Sequence, residues 1–322
     1  MFATPEDIRK GCAAHARHGT TTILPTSSTA SVASLEKMIS NVRQAQTITT
    51  ECTIAGVHLE GPFLSPAQAG AQDPKNLICP DVRILETLEA AWPNGIRIMG
   101  VAPELAGGIE FGAVLKEKGI LATIAHSNAN YTVCAQALAS GYSDITHIYS
   151  GCSIVHRTNG YRSGGVVEAG LLEDGFTVQV IADGKHLPAE LLRLIFKCKG
   201  ADKISLITDA LYPAAADYPD GSVLKNTAGS IIILEDGVLK LEDRQAFAGS
   251  VATMDRLVRN MVQLAGVSLW DAVTMATATP AKVAGLSHCK GSLLPGYDAD
   301  IVLLDKDLQV KSVIAMGKEI EA

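Results

Sequence analysis

The stretch ILATIAHSNANYTVCAQALASGYSDITHIYSG, residues 120–151, decides the fold class. It begins with a short apolar run that ends at His126, continues through a segment with helical spacing of its apolar residues, and closes with a second run that ends at His147. A strand, a helix and a second strand in this order form a βαβ unit with parallel strands. Both histidines are therefore predicted at the carboxyl ends of neighbouring parallel strands.

The same alternation of β-branched apolar runs and helical segments extends over the first two thirds of the chain. Near-continuous apolar strands of this kind indicate a sheet that is buried on both faces. Seven strands are one fewer than in a (β/α)8 barrel, and a doubly wound open sheet is the competing architecture. No GxGxxG follows any run, so a dinucleotide-binding fold lacks support. The seven runs are TTTILPTS (20–27), TIAGVHLEGPF (53–63), IRIMGVAPE (96–104), LATIAHSNA (121–129), DITHIYSG (144–151), FTVQVIADGKH (176–186) and KISLITDAL (203–211).

The positions of the polar residues favour the barrel. Glu60, His126, His147, His186 and Asp209 each lie at or just past the carboxyl end of a different run. In a barrel these ends converge on one mouth, whereas in an open sheet they would be distributed along an edge. We therefore predict an α/β fold of the TIM-barrel type that has one strand fewer than the usual eight.

The C-terminal part of the sequence has a different pattern. SIIILEDGVLKL (230–241) carries an Asp-Gly pair between two apolar runs, which is typical of a β-hairpin. The last thirty or so residues are also rich in β-forming residues and short turns. We therefore assign residues 1–221 and 246–289 to the barrel, and residues 222–245 and 290–322 to a small β subdomain.

Composition excludes several classes of function. The 322 residues carry a formal net charge of −7 and only 5% aromatic residues, which argues against nucleic acid as a partner. The seven cysteines are odd in number and form no CxxC pair, so a disulfide framework or a cysteine-type zinc site is disfavoured and the reducing cytoplasm is the expected location. No 18-residue apolar run predicts a membrane span, and the N-terminus does not have the pattern of a signal peptide.

Four of the residues at the strand ends suggest metal-assisted hydrolysis. Glu60, His126 and His147 provide a carboxylate and two imidazoles, a common ligand set for a catalytic divalent ion that leaves one position for water. Asp209 would be the group that takes a proton from this water and returns it to a leaving amine. A single histidine at a strand end is more often a hydrogen-bonded core or loop residue, but four ionisable groups at four buried strands are costly to bury without a shared task.

The remaining candidate residues leave alternatives open. His186 follows the turn at Asp183 and is interpreted as a further ligand, an oxyanion donor or a substrate contact, or else as the capping residue of the helix that starts near Pro188. Arg157 and Arg162 lie in a polar, glycine-containing segment. Their guanidinium groups suit an anionic substrate group such as phosphate, and the alternative is that they are solvated loop arginines.

Taken together, the motifs are similar to those of a known family. Six motifs occur in this order: HLEGPF (58–63), AHSNA (125–129), the Thr-His pair at 146–147, IADGKH (181–186), LITDA (206–210) and FAGS (247–250). In this the sequence resembles the N-acetylglucosamine-6-phosphate deacetylases of the metal-dependent amidohydrolase superfamily, from about residue 1 to its end. The resemblance implies hydrolysis of N-acetylglucosamine 6-phosphate to glucosamine 6-phosphate and acetate in amino-sugar catabolism, with one divalent ion, Zn or Fe, per chain. It also implies a homodimer in which an arginine of one subunit binds the phosphate in the other.

The resemblance assigns roles residue by residue. It implies that Glu60, His126 and His147 are the metal ligands and that Asp209 is the catalytic acid and base. The residues that it implies in substrate binding are Ala71, Ser150, Gly151, Arg157, Asp183, His186, Phe247, Ala248 and Gly249.

The sequence also departs from the family pattern. Ser150 stands where the family has Asn, Gln72 stands where many members have His, and the segment with Arg157 aligns only with a gap. The family barrel has eight strands, so the resemblance implies that the first of them, with about fifty N-terminal residues, is lacking here. Two alternatives follow: an amidohydrolase that acts on a different acylated amine, and an inactive truncated remnant.

Overall fold

The computed structural model of the protein describes residues 3–226 and 229–320. The strands are β1 Thr22–Ile23, β2 Thr26–Ser27, β3 Thr53–Ile54, β4 Val57–Leu59, β5 Ile96–Val101, β6 Leu121–Ile124, β7 Tyr142–Ile145, β8 His156–Thr158, β9 Tyr161–Ser163, β10 Thr177–Val180, β11 Ile204–Leu206, β12 Val223–Lys225, β13 Ile231–Glu235, β14 Val238–Leu241, β15 Ile301–Leu304, β16 Val310–Ala315 and β17 Lys318–Ile320. The α-helices are α1 Pro5–Arg17, α2 Val32–Ile48, α3 Val82–Ala91, α4 Gly108–Glu117, α5 Tyr131–Ala139, α6 Val166–Leu172, α7 Ala189–Lys199, α8 Met254–Gln263, α9 Leu269–Ala276 and α10 Ala278–Val283. Each of the seven predicted runs contains or overlaps a strand, so the predicted alternation is confirmed.

The helices begin where short polar side chains can accept a hydrogen bond from the first turn. In α3 the carboxylate of Asp81 accepts from the backbone N–H of Arg83, and in α5 the side chain of Asn130 accepts from that of Val133. Such caps satisfy N–H groups that have no partner within the helix. In the part of the chain that the structure describes, no helix combines the length and the apolar character that crossing a bilayer requires.

The chain divides into two units. The first unit comprises Met1–Leu24, Asn41–Ala55 and Ile181–Ala322, and the second comprises Pro25–Ser40 and Gly56–Val180. This division neither confirms nor contradicts the predicted boundaries of the barrel and the β subdomain, which stay a prediction.

The second unit is built on a parallel sheet. Its strands lie in the order β10-β7-β6-β5-β4-β2, and each neighbouring pair is parallel. Val57, Leu59, Met99, Ile124 and Ile145 are almost fully buried, as expected for strands that are covered on both faces. All carboxyl ends of these strands therefore point to the same edge of the sheet.

The first unit contains the smaller sheets. Strands β12, β13 and β14 form one antiparallel sheet, and β15, β16 and β17 form another. The predicted Asp-Gly hairpin is confirmed, because Glu235 pairs with Val238 across a turn in which Asp236 and Gly237 both have positive φ. This is the conformation that a two-residue type I′ turn requires.

The segment with the two candidate arginines is a hairpin rather than the loop that its polar composition suggests. Strands β8 and β9 pair antiparallel, with Arg157 opposite Arg162. Asn159 and Gly160 form the turn with φ of 50° and 87°. The Asn-Gly pair is the strongest short-range hairpin signal, so a hairpin could have been predicted here from the sequence.

Candidate active site

Three predicted site residues follow three strands of the second unit. Glu60 comes directly after β4, and His126 and His147 lie just beyond the ends of β6 and β7. The two histidines have φ of 43° and 29°. This left-handed conformation costs about 1–3 kcal/mol in a residue other than glycine and concentrates at functional sites.

The three side chains converge on one point. Oε1 of Glu60 lies 2.6 Å from Nε2 of His147 and 3.1 Å from Nε2 of His126. Neighbouring strands lie about 4.8 Å apart, so β4 and β7 would be separated by about 14 Å in a flat sheet. A sheet that curves toward its carboxyl edge brings them together, as in a barrel and not in an open sheet.

The hydrogen bond of His126 shows what the cluster is suited to bind. Its Nδ1 donates to the carbonyl oxygen of Gln68 at 2.7 Å, because a carbonyl oxygen can only accept. A neutral His126 then has a lone pair on Nε2, which faces the lone pairs of Glu60 Oε1. A cation between these atoms would replace repulsion by coordination, and the carboxylate and two imidazoles are the donor types that a divalent ion takes.

Burial and charge agree with this interpretation. Glu60, His126 and His147 are each at most 8% exposed, and their ligand atoms all lie within 4.8 Å of one another. Burial works to raise the pKa of Glu60, but the positive charge and hydrogen bonds of His126 and His147, when these rings are protonated, hold that pKa well below its usual range. The carboxylate is thus ionised, which is the form that ligates a metal. The residues present fit a divalent ion.

The position of His126 depends on a glycine. A Cβ at Gly151 would lie 2.6 Å from Nδ1 of His126, and Gly151 has a positive φ of 58°. A side chain there would therefore be strained and would displace the ring. The resemblance implies a substrate contact for Gly151, and the structure adds that the backbone at this residue packs against the ring of His126.

Two residues near the cluster, the half-buried Gln72 and the buried His58, were not predicted as site residues. The side-chain amide of Gln72 donates to Oε2 of Glu60 at 2.5 Å. His58, two residues before Glu60 on β4, is buried, and this burial lowers its pKa to about 4. The alternation of β4 could have identified His58, because residues i and i+2 lie on one face of a strand. No local pattern connects Gln72 with Glu60.

In the first unit, Asp183 and His186 form a self-contained pair. Oδ2 of Asp183 accepts from Nδ1 of His186 at 2.8 Å, and Oδ1 accepts from the backbone N–H groups of Lys185 and His186. Burial works to raise the pKa of Asp183, while its hydrogen bond to His186 brings that pKa below its usual value. His186 does not cap α7, which starts after Pro188 without a side-chain capping bond. The capping alternative is therefore wrong.

Helix α8 holds the backbone of this pair in place. The Arg256 guanidinium donates to the carbonyl oxygen of Asp183, and the Asn260 amide donates to that of Ala182, both at 2.9 Å. The ring of Phe247 lies against the imidazole of His186, with centroids 4.8 Å apart and a tilt of 56°. The structure thus brings together three residues for which the resemblance implies substrate contacts.

Asp209 also lies in the first unit, just after β11. Its φ is 46°, so it shares the left-handed backbone of the two histidine ligands. The carbonyl oxygen of Asp209 accepts from the N–H of Ser250 at 3.0 Å, and Ala210 forms a parallel bridge with Ser250. Phe247, Ala248 and Gly249 directly precede Ser250 in the chain, and Ser250 is bonded to the backbone of Asp209. The catalytic role of Asp209 stays a prediction.

The other predicted substrate residues lie in the second unit. The N–H of Ser150 donates to the carbonyl oxygen of His147 at 2.9 Å, which folds Ser150 and Gly151 into the turn after this ligand. Ala71 is half-buried and precedes Gln72. Arg157 is exposed on β8. Their roles in substrate binding stay predictions.

Comparison with known proteins agrees with this architecture. The profile of the amidohydrolase family matches residues 3–320. An N-acetylglucosamine-6-phosphate deacetylase of Lysinibacillus sphaericus is 33% identical over 271 residues, which are 83% of this chain and 67% of that protein. An N-acetylgalactosamine-6-phosphate deacetylase of Escherichia coli O157:H7 is 31% identical over 99% of this chain and 82% of its own length.

A solved structure shows the same fold. The N-acetyl-D-glucosamine-6-phosphate deacetylase of Mycobacterium smegmatis, as a mutant in complex with N-acetyl-D-glucosamine-6-phosphate, superposes with a TM-score of 0.89 and 30% identity over 98% of this chain and 81% of that one. The predicted fold class, a TIM-type α/β barrel with a small β subdomain, is thereby confirmed. The chain belongs to the amidohydrolase family, in the group that contains the N-acetylglucosamine-6-phosphate deacetylases.

Proposed function

We propose that the protein is a metal-dependent deacetylase of an N-acetylated amino sugar 6-phosphate, with N-acetylglucosamine 6-phosphate as its substrate. The observation that carries the proposal is the convergence of Glu60, His126 and His147 at the ends of three strands. Relatives that are about one third identical are deacetylases of this substrate. The products are glucosamine 6-phosphate and acetate.

The three ligands would hold one Zn²⁺ or Fe²⁺ ion per chain. When bound, such an ion lowers the pKa of a water molecule toward ~7 and polarises a carbonyl group. Three protein ligands leave a coordination position for that water. The buried carboxylate of Glu60 contributes the negative charge of the ligand set.

Asp209 is the proposed proton carrier. Its carboxylate takes a proton from the attacking water as the new C–O bond forms at the acetyl carbon. The same proton then passes to the amine nitrogen as the C–N bond breaks. Acetate and the free amino sugar leave, and Asp209 is again ionised.

The remaining predicted residues would bind the substrate around this reaction. His186, oriented by Asp183, donates to the developing oxyanion, and Phe247, Ala248 and Gly249 line the acetyl end. Ala71 contacts the sugar through its backbone. Ser150, Gly151 and Arg157 bind the phosphate, for which a guanidinium is suited because it can donate two parallel hydrogen bonds.

We also propose that the active form is a homodimer. The β8-β9 hairpin and the residues before it expose Tyr161 at 82%, Ile154 at 54% and Val155 at 50%. Apolar side chains that are clustered on an exposed hairpin are typical of an interface with a partner. This hairpin carries Arg157, which the resemblance implies in phosphate binding across the subunits.

The galactosamine epimer is the second candidate substrate. The observation that favours it is the Escherichia coli relative, which matches 99% of this chain with 31% identity. The two sugars differ only at one hydroxyl group, so the metal site and Asp209 would serve both. The difference would be made by the residues that contact the sugar ring.

The decisive experiment measures metal content and acetate release with the purified chain. The substrates are N-acetylglucosamine 6-phosphate, N-acetylgalactosamine 6-phosphate and N-acetylglucosamine without phosphate. We expect about one divalent ion per chain and acetate release from a phosphorylated sugar. Asp209→Asn should keep the ion and lose turnover, because the amide has no proton-accepting carboxylate.

Each other outcome contradicts a defined part of the proposal. Metal without acetate release would favour an amidohydrolase for a different acylated amine. Absence of both would favour an inactive remnant. Retained turnover in Asp209→Asn would contradict the role of Asp209 alone, and equal rates with and without phosphate would contradict the phosphate contacts.

A further inference from the structure

The carboxylate of Glu60 has two oxygens with different surroundings. Oε1 faces Nε2 of both His126 and His147, whereas Oε2 accepts a hydrogen bond from the amide Nε2 of Gln72 at 2.5 Å. A free carboxylate could bind an ion through either oxygen or through both. The contact with Gln72 therefore distinguishes the two oxygens before an ion arrives.

The orientation of the Gln72 amide follows from its other partner. Its Oε1 accepts from the backbone N–H and from the hydroxyl of Thr29, both at 2.8 Å. A backbone N–H can only donate, so the amide oxygen must face Thr29 and the amide NH2 must face Glu60. Two donors on the amide oxygen also polarise the amide and strengthen its donation to the carboxylate.

Thr29 is itself fixed beside Glu60. It is 6% exposed, and its methyl group packs against the residue after Glu60 so closely that a Cβ at Gly61 would lie 2.4 Å from it. Interiors packed at this density allow little independent movement of a side chain. The contacts from Thr29 through Gln72 to Glu60 thus form a rigid chain.

Residues 68–72 contact a second ligand as well. The carbonyl oxygen of Gln68 accepts from Nδ1 of His126, which leaves Nε2 of that ring for the ion. One short segment therefore orients two of the three metal ligands. Hydrogen bonds to the ligands of a metal set their direction and affinity.

We propose that Gln72, anchored by Thr29, is a positioning residue that occupies Oε2 of Glu60 and leaves Oε1 as the single carboxylate oxygen turned toward the ion. This inference rests on the metal site of the proposed function and adds to it how the carboxylate is oriented. It predicts that Glu60 is a monodentate ligand.

The test compares the Zn²⁺ affinity of four variants, measured by competition with a chromophoric chelator. Gln72→Leu removes all three hydrogen bonds of the amide, and Gln72→Glu keeps its shape but replaces the donor by an acceptor. We expect both to weaken Zn²⁺ binding by about 10–100-fold. Thr29→Val loses only the hydroxyl donor and should weaken it by about 2–10-fold. Gln136→Leu, on the exposed part of α5, is the matched control and should bind as the wild type does.

The visible spectrum of the Co²⁺-loaded protein separates positioning from a general loss of structure. We expect Gln72→Leu to change the spectrum, because Glu60 gains freedom to bind through both oxygens, and the thermal midpoint of the metal-free protein to change little. If Gln72→Leu does not fold, Thr29→Val carries the test, since valine and threonine have nearly the same shape.

Several results would overturn the inference. Zn²⁺ affinities of Gln72→Leu and Gln72→Glu within about twofold of the wild type would do so, as would an unchanged Co²⁺ spectrum. Wild-type Zn²⁺ affinity in Gln72→Glu alone would also overturn it, because the shape of the side chain at position 72 would then matter and its hydrogen-bond donation to Glu60 would not. A wild type that binds Zn²⁺ but releases no acetate would overturn the proposed function only, and the variants' affinities would still decide the role of Gln72.

Discussion

The two units each contain a cluster of histidine and carboxylate side chains, and the two clusters differ in how they are satisfied. In the first unit, Asp183 binds Nδ1 of a histidine only three residues away and two backbone N–H groups of the same turn. In the second unit, Oε1 of Glu60 faces Nε2 of two histidines that are 66 and 87 residues away in the chain.

The difference lies in the ring nitrogen that the carboxylate meets. Nδ1 of His186 carries a proton for Asp183, so this pair is complete without any further group. When His126 is neutral, the form that binds a metal, its proton is on Nδ1 and is donated to Gln68, so Nε2 faces Glu60 with a lone pair. The same residue types therefore form a hydrogen-bonded pair in one unit and a set that could hold a metal ion in the other.

Substitution of Glu60 has the largest expected effect, because both histidines of the second unit's cluster face its carboxylate. Glu60→Gln keeps the side-chain shape but removes the charge that holds the ion. Loss of a ligand should exceed the roughly 10–100-fold cost of losing a partner of a ligand. A competitive Zn²⁺ titration measures it, and Asp183→Asn is the matched control, which should bind Zn²⁺ as the wild type does.

Metal removal provides a second measurement of the same prediction. An ion at a thousand times its Kd stabilises the folded state by about 4 kcal/mol. Chelation should therefore lower the thermal midpoint of the wild type and leave that of Glu60→Gln unchanged. A Glu60→Gln protein that still gains stability from Zn²⁺ would show that the ion binds elsewhere.

Asp183→Asn gives the next largest effect and acts on turnover instead of on metal binding. The Asn oxygen can keep the two backbone N–H groups of the turn, so its NH2 group would face Nδ1 of His186. The ring then loses both the acceptor for its Nδ1 proton and the negative charge that stabilises an imidazolium. A neutral His186 can then donate to the oxyanion only without its positive charge, which weakens that hydrogen bond. Loss of a whole oxyanion donor lowers kcat by about 10²–10³-fold, so we expect from steady-state kinetics a decrease of no more than about 10²-fold.

Nitrogen NMR of the imidazole is the control for this explanation. In Asp183→Asn the His186 ring should be neutral, with its one proton on Nε2 and none on Nδ1, while the Zn²⁺ affinity stays at the wild-type value. Unchanged kcat together with this neutral ring would contradict a role for the positive charge of His186 at the oxyanion. A lower Zn²⁺ affinity would contradict the separation of the two clusters.

The two clusters also show what the sequence can and cannot predict. Glu60, His126 and His147 could be predicted because each follows an apolar run, and parallel strands end at a common edge. The contact between Gln72 and Glu60 could not, because it depends on the path of a loop between two strands. The left-handed backbone of His126 and His147 also has no sequence signal, since neither residue is a glycine.

The hairpin of Arg157 and Arg162 was missed for a different reason. The Asn159-Gly160 pair was present in the sequence, but the exposed residues around it lack the apolar alternation that marks a buried strand. The hairpin is held by its turn and by the backbone pairing of its strands, although this register places the like charges of Arg157 and Arg162 opposite one another. Turn chemistry was therefore the better predictor at this surface, and hydrophobic periodicity was the better predictor in the parallel sheet.

Substitution of Phe247 has the smallest expected effect. It tests whether the hydrogen bond from Asp183 is enough by itself to orient His186. Its ring contacts the His186 imidazole but is 38% exposed, and Asp183 already fixes that imidazole by a hydrogen bond. An aromatic contact of this kind contributes about 0.5–1.5 kcal/mol, so Phe247→Leu should lower kcat/KM by about 2–10-fold and Phe247→Tyr should restore it. Trp270→Leu, at an 81% exposed position of α9, controls for the loss of an aromatic side chain. A decrease of 10²-fold or more would mean that Phe247, and not Asp183 alone, determines where His186 points.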